Sequence, residues 1–194
     1  MGVQERRMRE RQERERRIIE CARAIADSEG WSAVTTRRLA NEIEYSPPVL
    51  YGHFPDGRDG IVNAVAIAGF GDFATTMRAV LDDDADDHLT RFITAYLDFS
   101  AGNPATYEAM FSMQLEVRFA DESTPAELRD AFGVLVDAVG GEGSPDAETR
   151  AELLWSALHG MSVLSRTQRL RPDNAGARID ELTELFGNSA VSEK

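Results

Sequence analysis

The segment Ser46-Pro47-Pro48-Val49-Leu50-Tyr51-Gly52-His53-Phe54 holds the side chains best suited to recognition chemistry. Read as one short helix, it turns Leu50 and Phe54 inward, four residues apart, and leaves Pro47, Pro48, Val49, Gly52 and His53 outward with Tyr51 at the border. Val49 and the prolines offer apolar contact alone, of the kind a thymine methyl accepts. Tyr51 and His53 carry donors suited to phosphate oxygens. Arg37 and Arg38 fall at the start of the preceding helix, where unpaired amides also favour phosphate. Thr36, Tyr45 and Ser46 border the same segment and join the candidate DNA-contacting set.

Other chemistry is poorly provided for. The three histidines, His53, His88 and His159, show no metal-ligand spacing. The acidic run from Asp82 to Asp87 lacks the Gly and terminal Glu of a calcium loop and reads as a solvated turn. No nucleophile–base pair, phosphate-cradling loop or nucleotide fingerprint is visible, so neither catalysis nor a cofactor is expected. Cys21 is the sole cysteine, which excludes an intramolecular disulfide and suits a reducing cytoplasm, the expected location. The longest charge-free run, Leu153 to Ser165, is 13 residues. A membrane span needs about 20, so no membrane partner is expected. The Arg- and Glu-rich N-terminus lacks the apolar centre of a secretory signal.

Helices are the elements that must position these residues. Ile18, Ala22, Ile25 and Ala26 form an apolar stripe at helical spacing, stopped by Gly30. Thr35 or Thr36 N-caps a second helix with Leu39, Ala40 and Ile43 inward. After a break at Glu44-Tyr45-Ser46, Ser46 caps the short third helix from Pro47, where a missing N–H costs nothing. A long fourth helix carries Val62, Ala66, Phe70, Phe73, Met77 and Leu81. A fifth follows at Leu89–Leu97, a sixth from Tyr107 to Phe119, a seventh around Leu128–Val139, an eighth over 147–169 and a ninth with Ile179, Leu182 and Phe186. No useful stretch alternates with period two, so the fold class is all-α with about nine helices.

Charge divides the chain. Over 194 residues, 21 basic and 34 acidic side chains give 21 − 34 = −13. Residues 1–60 hold 11 Arg and 11 acidic residues, net zero, and residues 61–194 hold 10 and 23, which is the entire −13. The arm over residues 1–17 carries seven Arg against four Glu, net +3, with Glu5/Arg9, Glu10/Arg14 and Glu13/Arg17 at the favourable helical spacing. A solvated, fraying extension and a DNA-contacting arm are equally good readings of it. The asymmetry suggests two functional layers, and a negative total does not by itself exclude phosphate.

Two helices joined by a tight turn, the second one short, form a helix-turn-helix pattern. Residues 18–65 resemble the TetR family of bacterial transcriptional regulators. The resemblance rests on Ile18-Ile19, Ala22-Arg23 and Glu29-Gly30, then Thr35-Thr36-Arg37-Arg38-Leu39-Ala40, then Ser46 with Val49-Leu50-Tyr51-Gly52-His53-Phe54. Three positions depart from the pattern. Glu44 stands where Gly is usual in the turn, Pro48-Val49 replaces Gly-Thr, and Arg58-Asp59 replaces Lys-Glu, which puts Arg58 in the phosphate role of the Lys. The resemblance implies an N-terminal arm (1–17), a DNA-binding domain over 12–72 with its helix-turn-helix at 35–54, a ligand-binding and dimerisation domain over 73–188, and a tail at 189–194.

It further implies a homodimer, and the function expected is a ligand-responsive repressor that binds double-stranded DNA at a near-palindromic operator and is released by a small apolar effector. The ligand set expected is Phe70, Phe73, Met77, Phe92, Tyr96, Phe99, Tyr107, Met110, Phe111, Gln114, Phe132, Trp155 and His159. For any single one of these an ordinary core role is the simpler reading; together, Met and aromatics suit an apolar pocket. Trp155-Ser156-Ala157-Leu158-His159-Gly160 resembles a Trp-x-x-x-His-Gly motif of one subgroup, on a helix that packs across the dimer. The interface stripe expected is Leu153, Leu154, Leu158, Met161, Ile179, Leu182 and Phe186. A helical ligand-binding or scaffolding protein without DNA binding is the alternative that zero net charge over residues 1–60 leaves open.

Overall fold

The computed structural model describes residues 2–82, 87–111, 124–141 and 146–187. Among them every regular element is helical, in agreement with the all-α expectation. Among the described residues nine α-helices run in the order α1 (Val3–Glu29), α2 (Thr36–Glu42), α3 (Pro47–His53), α4 (Arg58–Leu81), α5 (His88–Gly102), α6 (Pro104–Phe111), α7 (Ala126–Ala138), α8 (Ala147–Arg166) and α9 (Ala175–Gly187). Single 3-10 turns at Trp31–Ala33 and Pro172–Asn174 have no counterpart in the sequence reading. The chain divides into two compact units, Met1–Gly69 with Asn103–Arg118, and Phe70–Gly102 with Phe119–Lys194.

The first unit is a small bundle around Ile18, Ala22, Val34, Leu39, Leu50, Ile61 and Val65, each at most 1% exposed. Its surprise is α6, which docks on the C-terminal end of α1. The Trp31 indole N–H donates to the Ala105 carbonyl at 2.9 Å, and the Ala105 N–H donates to the Asp27 carboxylate at 3.2 Å. A carboxylate at the first turn of a helix also complements its dipole. The second contact is at Gly69 on α4, where a Cβ would lie 2.5 Å from Thr106 Cγ2 and 2.9 Å from Met110 Sδ. Only glycine permits that approach. The sixth helix was expected from Tyr107; it begins at Pro104, and its expected continuation to Phe119 lies outside the described residues.

The second unit packs α5 against α8 and α9, and α7 against α8. Phe92, Ile93, Tyr96, Leu128, Ala151, Leu154 and Leu158 are among its most buried residues. Thr90 on α5 and Thr183 on α9 share a hydroxyl hydrogen bond at 3.1 Å. The Arg150 guanidinium donates to the Phe186 carbonyl and lies 5.7 Å from the centre of its ring, so one side chain satisfies the end of α9 and covers its aromatic.

The eighth helix stops three residues short of the expected 169. Gln168 takes φ 55°, its N–H donates to Ser165 O and the Arg169 N–H donates back to Leu164 O, both at 2.9 Å. This is a Schellman termination, whose usual sequence signal is a glycine that this chain does not supply. A second adjustment concerns α4, which is long and apolar enough to cross a membrane by length and composition. Asp72 interrupts its charge-free run, so counting uncharged residues passed it over. Ile61, Val62, Val65, Ala66, Phe70, Phe73, Ala74 and Met77 along it are buried in protein, the pattern of a core helix.

Candidate nucleic-acid interface

The turn between α2 and α3 sets the geometry of the site. Thr35 N-caps α2, its hydroxyl oxygen accepting from the Arg38 N–H at 3.2 Å. The helix ends at Ile43, and Glu44 follows at φ 57°. The Tyr45 N–H returns to Ala40 O at 2.9 Å and the Glu44 N–H to Asn41 O at 3.4 Å, the two bonds of a Schellman motif. Glu44 therefore holds the left-handed conformation at the turn position where the TetR resemblance expects glycine.

Helix α3 begins with two prolines, which have no N–H to offer a cap. The first free amide, Val49 N–H, donates to the Ser46 carbonyl at 2.9 Å. Ser46 thus occupies the cap position, but its side chain makes no capping bond. Its hydroxyl stays exposed beside Pro47, Pro48 and Gly52. Leu50 is 1% exposed and anchors the helix, Phe54 is half-buried, and Val49 and Tyr51 stand out at 38% and 49% exposure.

His53 was expected outward and is not. Its side chain is 7% exposed, with Nδ1 3.1 Å from Glu15 Oε1 of α1. The reason is that α1 runs through the whole arm from Val3 and brings Glu15 alongside the end of α3. Arg11 on the same helix donates to the Gly52 carbonyl at 3.3 Å, and the Arg17 guanidinium lies 5.6 Å from the centre of the half-buried Tyr45 ring. The Glu-leading pairs expected on the arm are replaced by Arg6–Glu10, Arg11–Glu15 and Arg16–Glu20, with Arg leading.

The arginines differ sharply in use. Arg38 forks onto Glu29 at 2.6 and 2.5 Å, joining the end of α1 to α2. That hydrogen-bonded cation holds the Glu29 carboxyl below the usual carboxylate range. Arg58 donates to Val34 O at 3.1 Å and Trp31 O at 3.0 Å, tying the start of α4 to the 3-10 turn. Arg37 is exposed, and among the described residues no acidic partner reaches it. Thr36 is half-buried beside it. The structure thus brings Arg37, Ser46, Pro47, Pro48, Val49, Tyr51 and Gly52 to exposed positions on or beside the two helices. Arg38, His53 and Arg58 are occupied within the unit. Sequence reading missed Glu15, Arg11 and Glu29; the repeated i,i+4 charges on the arm were the available signal for the first two.

The expected ligand residues fall in both units. Phe73 meets Tyr96 and Phe99 edge-on, with ring centres 5.3 and 5.4 Å apart, near buried Phe70, Met77 and Phe92. Phe132, Trp155 and His159 are half-buried in the same unit. Burial, aided by the Arg166 cation, pushes the His159 imidazole below its ordinary pKa. Tyr107, Met110 and Phe111 belong instead to the first unit, where the Tyr107 and Phe111 rings lie 4.7 Å apart. Gln114 lies outside the described residues.

The expected interface stripe resolves into two faces. Leu154 and Leu158 are 0% exposed and Leu182 is 9% exposed, so they pack inside the protomer. Leu153 is 58% exposed, while Met161, Ile179 and Phe186 are half-buried. Consecutive residues on a helix stand about 100° apart, which separates Leu153 from Leu154. Leu164 and Leu185, at 37% and 67% exposure, join the outer face and were not anticipated.

Comparison with known proteins gives two family matches. Residues 18–65 match the model of bacterial regulatory proteins of the tetR family, and residues 89–186 match a tetracyclin repressor-like C-terminal domain. The HTH-type transcriptional regulator YobS of Bacillus subtilis is 31% identical over 148 residues, 76% of this chain and 76% of its own. The HTH-type transcriptional repressor KstR of Mycolicibacterium smegmatis is 30% identical over 137 residues, 70% of this chain and 65% of its own. Among solved structures, the regulatory protein SCO4313 superposes with a TM-score of 0.73 at 23% identity, covering 93% of this chain and 98% of that one. The transcriptional regulator FadR from Bacillus subtilis, in complex with stearoyl-CoA, gives 0.61 at 14% identity, covering 91% and 98%. With a family head and a family body matched in order, and a short exposed helix braced by a second, this chain belongs to the TetR family of DNA-binding transcription regulators.

Proposed function

We propose that the protein is a homodimeric repressor that leaves a near-palindromic operator when a small apolar effector binds its body. The observation that carries the reading is α3: Leu50 is sealed inside while Val49, Tyr51 and the Ser46 hydroxyl remain outward, with Arg37 exposed beside them. A helix so anchored presents apolar contact to base edges and donors to phosphates. Arg38, His53 and Arg58 act as positioning residues in this reading, because their polar atoms already hold carboxylates or carbonyls within the unit.

The outer face of α8 and α9 supports the dimer. Leu153, Ala157, Gly160 and Leu164 follow one another at helical spacing, and nothing lies within 4 Å of a Cβ placed on Gly160. Leu185 adds an exposed apolar side chain on α9. Such a dimer sets its two reading helices about 34 Å apart, one DNA turn. Residues Trp155 to Gly160, whose pattern resembles a subgroup motif, lie on this helix. The aromatic interior of the body supports an apolar effector, and FadR, of the same fold, is crystallised with stearoyl-CoA. A coupling of about 1–3 kcal/mol between effector and DNA suffices for release.

The test is a mobility shift at stated low salt against the DNA upstream of the protein's own coding sequence. Arg37→Ala and Tyr51→Ala should weaken binding roughly uniformly across sequences, and Arg37→Ala should lower the salt slope by about 1. Unchanged affinity in both variants sinks the assignment of this helix pair.

A further inference from the structure

The apolar stripe of α1 does not end where the core ends; it changes chemistry. Ile18, Ala22 and Ile25 line the buried face. Continued toward the N-terminus at helical spacing of four and three, the same face carries Arg14, Arg11 and Arg7. The glutamates of this extension are engaged elsewhere. Glu5 accepts from the Gly2 N–H, Glu10 pairs with Arg6, Glu13 pairs with Arg16, and Glu15 holds Arg11 and His53. Among the described residues, neither Arg7 nor Arg14 has a carboxylate within 4.0 Å. The surplus positive charge of the arm therefore stands partly on one helical face, the face that turns toward the reading helix, where Arg11 reaches the Gly52 carbonyl.

We infer that this helical extension is a second DNA-contacting element, which lays Arg7 and Arg14 on the phosphates flanking the site that α3 reads. The inference rests on the DNA-binding reading above. Three observations select DNA as the occupant: charge complementarity, continuity with α3 through the Arg11 and Glu15 contacts, and rigidity. Residues 3–17 continue α1 as regular helix, about 22 Å of it, so the arginines are held in register without ordering a loose arm on binding. The contact carries no base information, since it is to backbone alone.

The experiment compares two double variants with equal loss of charge. Arg7→Ala/Arg14→Ala removes the two inner-face arginines that lack a carboxylate, and Arg6→Ala/Arg9→Ala removes two from the outer face. Binding of each full-length protein to a fluorescein-labelled duplex of roughly three turns is followed by anisotropy from about 50 to 200 mM KCl. Alanine favours helix, so α1 is retained, and far-UV circular dichroism checks it. The inner pair should lower the slope of log affinity against log salt by about 1.8, two phosphates' worth, and the outer pair by less than half of that. Equal slopes for the two pairs, or an unchanged slope for the inner pair while wild type binds, overturn the inference and leave the DNA-binding reading standing. Failure of wild type to bind any duplex removes that reading, and the inference with it. An inner pair that alters only the sedimenting mass assigns the face to a second copy of the chain and overturns it too.

Discussion

The two units are both helix bundles, but they place their informative residues on opposite sides of the surface. In the first, a few small anchors, Ile18, Leu39, Leu50 and Ile61, are sealed, and the side chains that distinguish the protein stand outward on α3 or clamp it from α1. In the second, the distinctive residues are the interior ones, Phe73, Phe92, Tyr96 and Phe99, and the surface is acidic apart from the exposed Leu153, Leu164 and Leu185. A surface that must match a fixed partner constrains residue type at fixed spacing. An interior that must only be filled accepts many combinations of similar volume. That is why the head is legible from a short motif within residues 18–65, while the body is matched only as a whole domain over residues 89–186.

Anchor removal should produce the largest effects and test this contrast directly. Leu50→Ala and Leu158→Ala each delete a fully buried leucine and should each cost about 2–5 kcal/mol in urea unfolding. If the division of labour is right, Leu50→Ala abolishes the mobility shift at temperatures where the protein is still folded, because α3 loses its seat. Leu158→Ala lowers the midpoint but keeps the shift. Equal loss of DNA binding in both variants would break the comparison.

A smaller effect is expected at the crossing of α4 and α6. Gly69→Ala places a methyl 2.5 Å from Thr106 Cγ2, and overpacking of this kind costs about 1–3 kcal/mol in thermal or chemical unfolding. Gly71→Ala is the control, since its Cβ would meet Glu127 only at an ordinary 3.5 Å.

Both units also end a helix with a long polar residue in left-handed conformation, Glu44 in the head and Gln168 in the body. At the end of α7 the same pair of bonds is made by Gly140 and Gly141, so the motif itself needs no polar side chain. Glu44→Gly and Gln168→Gly should each stabilise by about 0.5–1 kcal/mol, the relief of strain less the entropy of glycine. Should Glu44→Gly stabilise and also strengthen DNA binding, the strain in the head is a tax on function rather than part of it.

The smallest effect is a pH dependence confined to the body. His159 has a depressed pKa in the fold, so between that value and the ordinary 6.5 the unfolded chain binds more protons. Stability from this source is present above that window and is lost as pH falls through it. The melting temperature should drop on acidification from neutral pH, and His159→Gln should drop less. Equal drops in both proteins assign the acid sensitivity to other groups.

Much of the fold was legible because helical spacing is a local property. The stripe Ile18, Ala22, Ile25, Ala26, the Thr35 cap and the inward Leu50 can all be read within a few turns of chain, and they hold in the structure. What escaped was non-local. His53 looked like an outward donor until Glu15, 38 residues away, was found against it. Arg38 and Arg58 looked like phosphate ligands until their partners at Glu29, Trp31 and Val34 were in place. The four interface residues expected on α8 looked like one stripe because that helix is apolar on two faces, and only packing against α5 and α7 shows which of them is inner.

The sequence by itself determined the helical class, the charge division and the family head, since each depends on residue type and near spacing. Tertiary structure alone decided which polar side chains are free to meet a partner. A guanidinium or imidazole is chemically the same wherever it falls; whether its hydrogen bonds are already made depends on what the fold carries to within about 3 Å of it.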